Sequence, residues 1–359
     1  MQIGIDSRPL EGERAGIGNY VSGLLAGLSQ IDKENHYLLF TRKPINLDLA
    51  PNFQIKVIPS TPLWHLQVSD YVRTHQLIFH ATHSLIDANL VGIRGVLTVH
   101  DLTSLTEQDK HTLKVKAISH LLFKRALRKI QQLITPTQVV RNDLLAYLPE
   151  VKDKVTVIHE AVEENFGEVV SKDVLKLYDL ESGYIFFNAT LEPRKNVPRL
   201  LLAYSQLEKK PPLVLAGKKG WGFGEVEKEI SRLNLKKDVR VLGWVKDEDL
   251  ASLYQFASVL VYPSLNEGFG LSPLKAFKVG VPAVVSDLPV FSEVVGEAAL
   301  KVDPYNVSAL KQALEKVLND QVLRKMLIQK GFDQVAKYTW KETARKTLEI
   351  YQKVQDAIS

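Results

Sequence analysis

The sequence contains no cysteine among its 359 residues. This absence excludes disulfides, zinc–thiolate sites, iron–sulfur clusters and cysteine nucleophiles. Long hydrophobic runs are missing too, because no apolar stretch reaches the roughly 18 residues that a membrane-spanning helix needs. An apolar strand pattern begins at residue 2, without the basic, apolar and small-residue regions of a signal peptide in their usual order. We therefore expect a cytoplasmic protein, with at most a peripheral contact at the inner face of a membrane.

The composition favours two globular domains. Hydrophobic residues make up 45% of the chain, enough to build sizeable cores, and its length suits two domains better than one. The formal charge of +5 is a mild bias toward anionic partners such as phosphates or anionic lipid. Because 46 basic residues are balanced by 41 acidic ones, we expect no nucleic-acid partner.

Short apolar runs alternate with longer amphipathic segments, a pattern typical of parallel α/β units. The predicted strands of the first half are residues 2–5, 37–40, 54–57, 77–80, 95–99, 132–135 and 155–157. Those of the second half are residues 184–188, 212–216, 239–242, 259–262 and 283–286. An irregular acidic stretch within residues 160–180 separates the two series. Two consecutive doubly wound sheets predict a ligand cleft at their carboxyl ends, between the lobes.

The segment 263–277 (PSLNEGFGLSPLKAF) combines a strand end, two glycines and a helix start. Ser272 followed by Pro273 predicts an N-cap and first turn, and Gly280 with Pro282 predicts the end of the helix. A helix N-terminus facing a cleft is suited to binding an anion. The same pattern is also common in plain α/β architecture, so by itself it does not identify a site.

This segment resembles the donor-binding segment of retaining GT-B glycosyltransferases of glycosyltransferase family 4. Further matches, in the order of the family, are GIGNY at 16–20, TVHDL at 98–102, ATLEPRKN at 189–196, AGKKGW at 216–221, VLGWV at 241–245 and GVPAVV at 280–285. The resemblance implies the GT-B fold, with two Rossmann-like domains facing each other across a cleft. It places an acceptor-side domain over residues 1–165 and a nucleotide-sugar-binding domain over residues 166–339. The amphipathic helix at 340–359 is expected to cross back onto the first domain.

The pair Arg194 and Lys195 follows the predicted strand 184–188. A transferase that uses a nucleotide sugar must stabilise negative charge on the departing diphosphate, with fixed cations or a metal. Arginine offers a bidentate fork to phosphate oxygens and lysine a point charge. A solvated basic turn is the commoner fate of such a pair, but the resemblance assigns both residues to the diphosphate.

The other donor contacts are implied by the resemblance. Gly16 and Gly18 are expected to form a loop that covers the diphosphate, although a simple tight turn is the alternative. The backbone of Gly243 and Val245 is expected to hold the base, and Glu267 the hydroxyls of the donor sugar. The donor-binding residues that follow Glu267 are Gly268, Phe269, Gly270 and Leu271.

His100 ends the predicted strand 95–99, at the edge where ligands bind in parallel sheets. A hydrogen-bonded strand terminus is the alternative. By the resemblance His100 lies against the transferred sugar, where it positions hydroxyls or offers its backbone carbonyl and does not act as a base. Arg141, at the start of a helix predicted over 141–147, matches an arginine on the acceptor side of the cleft.

Lys275 departs from the family pattern, in which two glutamates stand eight residues apart. A second carboxylate would accept hydrogen bonds from a ribose diol, whereas an ammonium can only donate. In the first turn after Ser272, a cation would oppose the helix dipole by roughly 0.3–1 kcal/mol. Lys275 is therefore expected either to bind a donor phosphate or to extend to solvent.

No metal or other cofactor is expected. Asp247, Glu248 and Asp249 spell a D-x-D pattern, but they directly precede a helix predicted over 250–256, where acids suit the helix dipole. The resemblance implies retention at the anomeric carbon. We expect front-face attack, in which the departing phosphate oxygen takes the proton of the acceptor. The acceptor is expected to be a glycan or a lipid-linked glycan of envelope polysaccharide biosynthesis.

The basic amphipathic segment 111–132 contains no acidic residue. Such a segment can lie on an anionic membrane, although packing by its apolar face is the commoner fate.

The donor is expected to be GDP-mannose, with a UDP-sugar as the nearest alternative. A non-catalytic GT-B subunit that binds glycan or scaffolds an enzyme is the alternative that Lys275 favours, and the intact Arg194, Lys195 and Glu267 argue against it. An epimerase or phosphorylase lacks support in the sequence.

Overall fold

The computed structural model describes residues 1–14, 16–102 and 113–359, with residues 113–119 described by their backbone alone. It contains two compact units. Unit 1 consists of Met1–Ala161 and Thr339–Ser359, and unit 2 of Val162–Tyr338. The sequence places these boundaries after residues 165 and 339.

Unit 1 is built on a seven-stranded parallel sheet. Its strands are β1 (Gln2–Asp6), β2 (His36–Thr41), β3 (Phe53–Val57), β4 (Ile78–Ala81), β5 (Gly95–Thr98), β6 (Gln132–Thr135) and β7 (Val155–Val157). The strand order β3-β2-β1-β4-β5-β6-β7 reverses direction between β1 and β4, where Ile3 pairs with Ile78. A crevice outside the carboxyl ends of the strands at such a reversal, the topological switch point, is where open α/β sheets bind ligands.

Helices on the sheet of unit 1 bury the apolar strands. They are α1 (Gly16–Ile31), α2 (Trp64–Thr74), α3 (Leu85–Val91), α4 (Leu113–Lys129), α5 (Gln138–Tyr147) and a final helix, α14 (Trp340–Ile358). The strands β4 and β5 are buried along their whole length, as expected for a parallel sheet covered on both faces.

Unit 2 is built on a six-stranded parallel sheet. Its strands are β8 (Ile185–Asn188), β9 (Leu213–Ala216), β10 (Val239–Gly243), β11 (Val259–Tyr262), β12 (Ala283–Ser286) and β13 (Ala299–Val302). Its helices are α6 (Asp173–Leu177), α7 (Val197–Ser205), α8 (Phe223–Arg232), α9 (Asp247–Gln255), α10 (Leu271–Lys278), α11 (Pro289–Val294), α12 (Val307–Asn319) and α13 (Gln321–Val335). The order β10-β9-β8-β11-β12-β13 puts the switch point between β8 and β11.

Helix α14 joins the last residues of the chain to the first helix. A Cβ on Gly23 of α1 would lie 1.9 Å from the Trp340 ring, and one on Gly27 would lie 2.4 Å from the Trp340 carbonyl oxygen. Only glycine therefore lets the two helices approach this closely. Farther along α14, the Tyr351 hydroxyl lies 2.8 Å from Nδ1 of His80, a buried histidine whose pKa burial lowers to about 3. Since His80 is neutral, this contact belongs to the core.

The predicted fold class is confirmed, and the predicted strands are all present with ends shifted by at most one residue. Strand β13 was missed because it is short and half exposed at the sheet edge, so that its apolar run is weak. The helix predicted from residue 250 begins three residues earlier, at Asp247, so the D-x-D residues form its first turn. None of the described helices is both long and apolar enough to cross a bilayer.

Candidate active site

The switch point of unit 2 holds a buried cluster of charges. Lys195 lies in the 3₁₀ turn Pro193–Lys195, a short distance after β8, and Tyr262 ends β11. The Lys195 ammonium donates to the Tyr262 hydroxyl at 2.9 Å and to Glu267 Oε1. Its side chain is only 5% exposed, so the cation has exchanged water for these two partners.

Glu267 is ionised in this cluster. Burial alone would favour the neutral acid, but the charges of Lys195 and Arg194 hold the pKa of Glu267 below its usual value. The same contact, opposed by burial, raises the pKa of Lys195. An ionised carboxylate accepts hydrogen bonds and cannot donate them, so Glu267 is suited to bind hydroxyl groups and poorly suited to take a proton.

Arg194 links the turn to the loop after β11. Its Nε lies 2.6 Å from Glu192, its Nη1 lies 3.6 Å from Glu267, and Nη1 also donates to the Asn266 carbonyl at 3.3 Å. Asn196 fixes the turn from the other side, because its left-handed backbone (φ 61°) allows its amide to donate to the carbonyls of Pro263 and Pro304. The structure therefore brings Glu267 next to Arg194 and Lys195, which precede it by more than 70 residues in the sequence.

The glycine-rich loop 268–271 enters α10 through Gly270. Gly270 is the N-cap, with φ 89°, and a Cβ there would lie 2.7 Å from the Phe291 ring. Helix α10 begins at Leu271, so the predicted cap at Ser272 is wrong. The Ser272 hydroxyl instead donates to the Asn188 carbonyl at the end of β8, at 2.7 Å. Gly268 is buried, and Phe269 packs its ring edge-on against Tyr338. Donor binding by this loop stays a prediction.

The loops after β9 and β10 meet at two glycines with positive φ. The amide of Gly217 donates to the carbonyl of Gly243 at 2.7 Å. A Cβ on Gly217 would lie 1.9 Å from the Ala189 carbonyl oxygen, so glycine is required there. Val245 is buried with 6% exposure, whereas its neighbour Trp244 is 37% exposed. Base binding by the backbone of Gly243 and Val245 stays a prediction.

The structure contradicts two expectations for Lys275, namely its cost to the helix dipole and its extension to solvent. It lies in the last turn of α10, where a cation stabilises the helix dipole, so the expected cost of opposing the dipole is wrong. It also does not extend to solvent, since it is 4% exposed. Its ammonium lies 3.6 Å from Glu163 Oε2 and 5.1 Å from the centre of the Phe166 ring. A contact between Lys275 and a donor phosphate stays a prediction.

His100 lies two residues beyond β5, in unit 1. Its Nδ1 is 3.2 Å from Glu160 Oε1, its Nε2 is 2.9 Å from the Thr82 carbonyl, and its ring packs edge-on against Tyr20 of α1. Burial would lower the pKa of His100, but the Glu160 carboxylate and the Thr82 carbonyl raise it above its usual value. Both partners accept hydrogen bonds, so this environment favours the protonated form of His100, in which neither ring nitrogen can serve as a base.

The remaining predicted residues of unit 1 lie on helices. Gly16 and Gly18 form the first turn of α1, whereas the resemblance implied that they form a loop. A Cβ on Gly18 would lie 2.7 Å from the Pro9 carbonyl oxygen, and Gly16 is exposed with open space around it. Arg141 is half-buried within α5 and does not begin it, because Thr137 caps that helix by accepting from the Val140 amide.

In the described ranges, no three histidine, aspartate or glutamate side chains come close enough to hold a metal ion. Asp249 of the D-x-D pattern accepts a hydrogen bond at 2.7 Å from the Tyr178 hydroxyl. Independence of a metal stays a prediction.

Sequence reasoning missed the partners that set the charge of the site. Glu160 accounts for the protonation of His100, Tyr262 shares the ammonium of Lys195, and Glu163 faces Lys275. Glu160 and Glu163 lie in the irregular stretch between the two series of strands, where no periodic pattern assigns them a position. Tyr262 has a weak signal, since it is a polar group at the carboxyl end of a buried strand.

Known proteins resemble this chain in sequence and in fold. The chain is 30% identical over 302 residues to the O-antigen chain mannosyltransferase B of Escherichia coli, covering 82% of this chain and 77% of that protein. It is 29% identical over 279 residues to the serotype-specific mannosyltransferase WbdA of Escherichia coli, covering 74% of this chain and 34% of that protein. The sucrose-phosphate synthase of Thermosynechococcus elongatus has the same fold, with a TM-score of 0.81, 20% identity and coverage of 99% of this chain and 100% of that one.

Residues 176–334, which carry the Lys195–Glu267 cluster, match the family described as glycosyl transferases group 1. This match and the relative that is 30% identical along most of the chain show that the protein is an enzyme. The structural likeness shows that it has the GT-B fold. The chain belongs to the group 1 glycosyl transferases.

Proposed function

We propose that this glycosyltransferase transfers mannose from GDP-mannose to a hydroxyl of a glycan or lipid-linked glycan, with retention at the anomeric carbon and without a metal ion. The mannose is supported by the names of the relatives, which are an O-antigen chain mannosyltransferase and a serotype-specific mannosyltransferase. The nearest alternative is a UDP-linked hexose, which the same cluster of charges would accept.

The observation that carries the proposal is the ion cluster at the switch point of unit 2. A nucleotide sugar needs a carboxylate for the sugar hydroxyls and cations for the diphosphate. Glu267 and the pair Arg194 and Lys195 provide both within one cluster. Arg194 is the more exposed of the two cations, at 20%, so it would exchange a carboxylate contact for a phosphate oxygen when the donor binds.

The charge states of the site support front-face attack. Glu267 is a weak base because its pKa is lowered, and the environment of His100 favours its protonated form, since its pKa is raised and both ring nitrogens face acceptors. Neither group is suited to take the proton of the acceptor hydroxyl. The departing phosphate oxygen would take it instead, on the same face as the attack, which retains the anomeric configuration. Arg194 and Lys195 would stabilise the charge on that leaving group.

The first test is a thermal-shift panel with UDP, GDP, ADP and their sugar conjugates, each with EDTA or with Mg²⁺. A ligand present at about 100 times its Kd stabilises the folded protein by roughly 2.7 kcal/mol, a readable shift. We expect GDP and GDP-mannose to give the largest shifts, equal in EDTA and Mg²⁺. Larger shifts with UDP compounds would change the donor, and a shift that needs Mg²⁺ would contradict independence of a metal.

The stereochemistry is tested separately. Product formed from GDP-mannose and methyl α-D-mannopyranoside is analysed by NMR for the one-bond carbon–hydrogen coupling at the new anomeric centre. An α-linkage is expected, because GDP-mannose is itself an α-glycoside, and a β-linkage would contradict retention.

We also propose a peripheral contact between α4 and an anionic membrane. Leu121 and Leu122 are exposed on this helix, at 66% and 47%. The same helix carries the basic residues Lys124, Arg125, Arg128 and Lys129. The earlier basic residues of the segment, Lys114 and Lys116, lie outside the described side chains. Exposed apolar and basic residues on one helix would suit a lipid surface that presents the acceptor.

Sedimentation with vesicles of phosphatidylglycerol and phosphatidylcholine at low salt tests the contact. We expect binding that falls with increasing salt and that the double substitution Leu121→Ser and Leu122→Ser weakens. A matched control substitutes the exposed Val322 of α13 by serine and should leave binding unchanged. Absence of co-sedimentation at low salt would contradict the contact.

A further inference from the structure

The switch point of unit 1 holds a second ion cluster, which the proposed chemistry does not use. Asp6, the last residue of β1, is fully buried and accepts two hydrogen bonds from Arg8, at 2.8 and 2.7 Å. Arg8 also donates to Asp87 of α3 at 2.7 Å, and its guanidinium stacks 4.1 Å from the centre of the Trp64 ring. Arg8 therefore holds both carboxylates in fixed positions.

His83 lies against this cluster from the other side of the switch point. It follows β4 and directly precedes Ser84, the N-cap of α3. Its Nδ1 lies 3.4 Å from Asp6 Oδ2, longer than an ordinary hydrogen bond. A carboxylate already bound to Arg8 can only accept, so Asp6 favours the tautomer in which Nδ1 carries the hydrogen. Contacts of this kind are often long in the absence of substrate and shorten when it binds.

The other ring nitrogen of His83 is then a hydrogen-bond acceptor. The side chain is 34% exposed, and none of the described residues pairs with Nε2. His83 is neutral at pH 7: burial, Arg8 and His100 lower its pKa, and Asp6 and Asp87 oppose the change only in part. His83 is a partly exposed, neutral imidazole whose Nδ1 faces a buried carboxylate. The lone pair on its Nε2 is therefore suited to accept a hydrogen bond from a hydroxyl group.

The charges around His83 decide which kind of ligand fits. Two carboxylates, Asp6 and Asp87, outnumber the one guanidinium, Arg8, and the imidazole of His65 contacts Asp87 at 2.7 Å. Carboxylates in excess of permanent cations disfavour a phosphate and leave a neutral, hydroxyl-rich molecule as the matching ligand. The site also lies between β1 and β4, next to the strand that leads to His100.

We propose that Nε2 of His83 binds a hydroxyl of the neutral glycan acceptor, with Asp6 as its positioning residue. This proposal rests on the transferase function above and names a residue that selects the acceptor. The hydrogen of the acceptor hydroxyl is shared with Nε2 while Nδ1 keeps its own hydrogen against Asp6, so no proton is transferred to His83.

The test separates acceptor from donor. With GDP-mannose as donor and methyl α-D-mannopyranoside or α-mannobiose as acceptor, we expect His83→Ala to raise the acceptor KM about tenfold, the loss of one hydrogen bond. The donor KM and the slow release of GDP without acceptor should change less than twofold. In His83→Gln the amide oxygen replaces Nε2, so the acceptor KM should return to within about threefold of wild type. The control His36→Ala removes an exposed histidine at the opposite end of the same sheet and should change nothing.

Several results would overturn the proposal. An acceptor KM unchanged in His83→Ala would do so, and so would an equal rise in the donor KM. Failure of both mannosides to increase GDP release by the wild type, while acceptor-free release continues, would exclude a neutral mannoside. If no nucleotide sugar is cleaved at all, the proposed function fails instead. Saturation-transfer NMR of the mannosides on wild type and His83→Ala then still decides the role of His83, because it needs no turnover.

The pH profile adds a readout that a merely structural role would not affect. Protonation of Nε2 removes its lone pair, so kcat/KM for the acceptor should fall as pH decreases through the pKa of His83, below 6.5. Asp6, Arg8, Asp87 and His100 are the charged groups that face His83 and set this limb. The limb should be absent in His83→Gln and absent from acceptor-free GDP release.

Discussion

Both sheets place an ion cluster at their switch point, but the two clusters balance charge differently. In unit 2, two cations (Arg194 and Lys195) face two carboxylates (Glu192 and Glu267). In unit 1, the single cation Arg8 faces the carboxylates of Asp6 and Asp87. A histidine also lies beside each carboxylate, His83 beside Asp6 and His65 beside Asp87. Lysine and arginine stay charged over the whole physiological range, whereas histidine does not.

The difference separates two tasks. A balanced cluster of permanent charges can release a cation to a diphosphate without leaving an isolated charge, and its state does not depend on pH near neutrality. A cluster completed by histidine can offer a neutral acceptor to a hydroxyl group, but only above the pKa of that histidine.

The largest effect is expected from removing charge at the switch point of unit 2. Glu267→Gln should lower kcat/KM for the donor by about 10²–10³-fold, because the carboxylate would bind the sugar hydroxyls in the transition state. Lys195→Met should also destabilise the fold by about 3–5 kcal/mol, since it leaves Glu267 buried without its principal cation. Denaturant unfolding should show that the double variant loses less than the sum of the two single variants.

The matched control for that experiment is the exposed pair of Arg232 and Glu229 on α8. Arg232→Met should change neither activity nor stability measurably, because an exposed pair contributes little. Additive losses in the double variant of Lys195 and Glu267 would contradict a coupled pair.

The second prediction concerns the ion cluster at the switch point of unit 1. Arg8→Met leaves the buried carboxylates of Asp6 and Asp87 without their shared cation and should cost about 3 kcal/mol of unfolding free energy. Loss of the arginine charge should also raise the pKa of His83, since Arg8 lowers it in the wild type. NMR titration of the histidine ring carbons measures this change, and a His83 pKa that stays the same or falls would contradict the electrostatic account.

The third prediction concerns the pH dependence that His100 brings to unit 1. Its pKa is raised in the folded protein, so its contribution to stability is fully present below pH 6.5 and is lost as pH rises through the folded pKa. Each unit of pKa difference corresponds to about 1.4 kcal/mol. Glu160→Gln should lower the pKa of His100, flatten the stability profile in this window and reduce kcat/KM about tenfold.

Unfolding curves measured between pH 6 and 9 and an NMR titration of His100 check this prediction together. Asp173→Asn, which removes an exposed carboxylate paired with Lys176, provides the comparison and should leave the profile unchanged. A His100 that titrates at the same pH in Glu160→Gln would show that Glu160 does not hold its proton.

The smallest effect is expected at Lys275. Lys275→Met should lower the unfolding free energy by about 1 kcal/mol, because Glu163 is 30% exposed and can regain water. The affinity for GDP, measured by calorimetry, should change less than twofold if the ammonium serves Glu163 alone. A tenfold loss of affinity would assign Lys275 to a donor phosphate. Lys275→Glu, which places two carboxylates side by side, should destabilise the fold more than Lys275→Met does.

Much of the fold could be predicted because parallel strands covered on both faces are short, continuous apolar runs, as in β11 and β12. The helix starts were harder. Helix α10 begins after Gly270, whose positive φ and contact with Phe291 decide the cap, whereas Ser272, the better capping residue by type, bonds to Asn188 of another strand. A tertiary contact therefore shifted the helix start and moved Lys275 from the first turn to the last.

In the candidate site, the family resemblance predicted Arg194, Lys195 and Glu267, and the structure places these three charges in one cluster. Their roles stay predictions. The site was not predictable where a residue acts through a distant partner. Asp6 and His83 are separated by more than 70 residues and meet only because β1 and β4 are neighbours in the sheet. The tautomer of His83 and the charge of His100 depend on such pairings, which a single sequence does not encode locally.

Helix α14 has a consequence for how the protein folds during its synthesis on the ribosome. The helix that covers Gly23 and Gly27 of α1 follows the whole of unit 2 in the chain and is synthesised after it. Unit 2 is continuous and can fold once Tyr338 has left the exit tunnel, whereas unit 1 must wait for residues 339–359 before its first helix is covered. We therefore expect the unit that is translated second to complete its folding first, the reverse of the usual vectorial order.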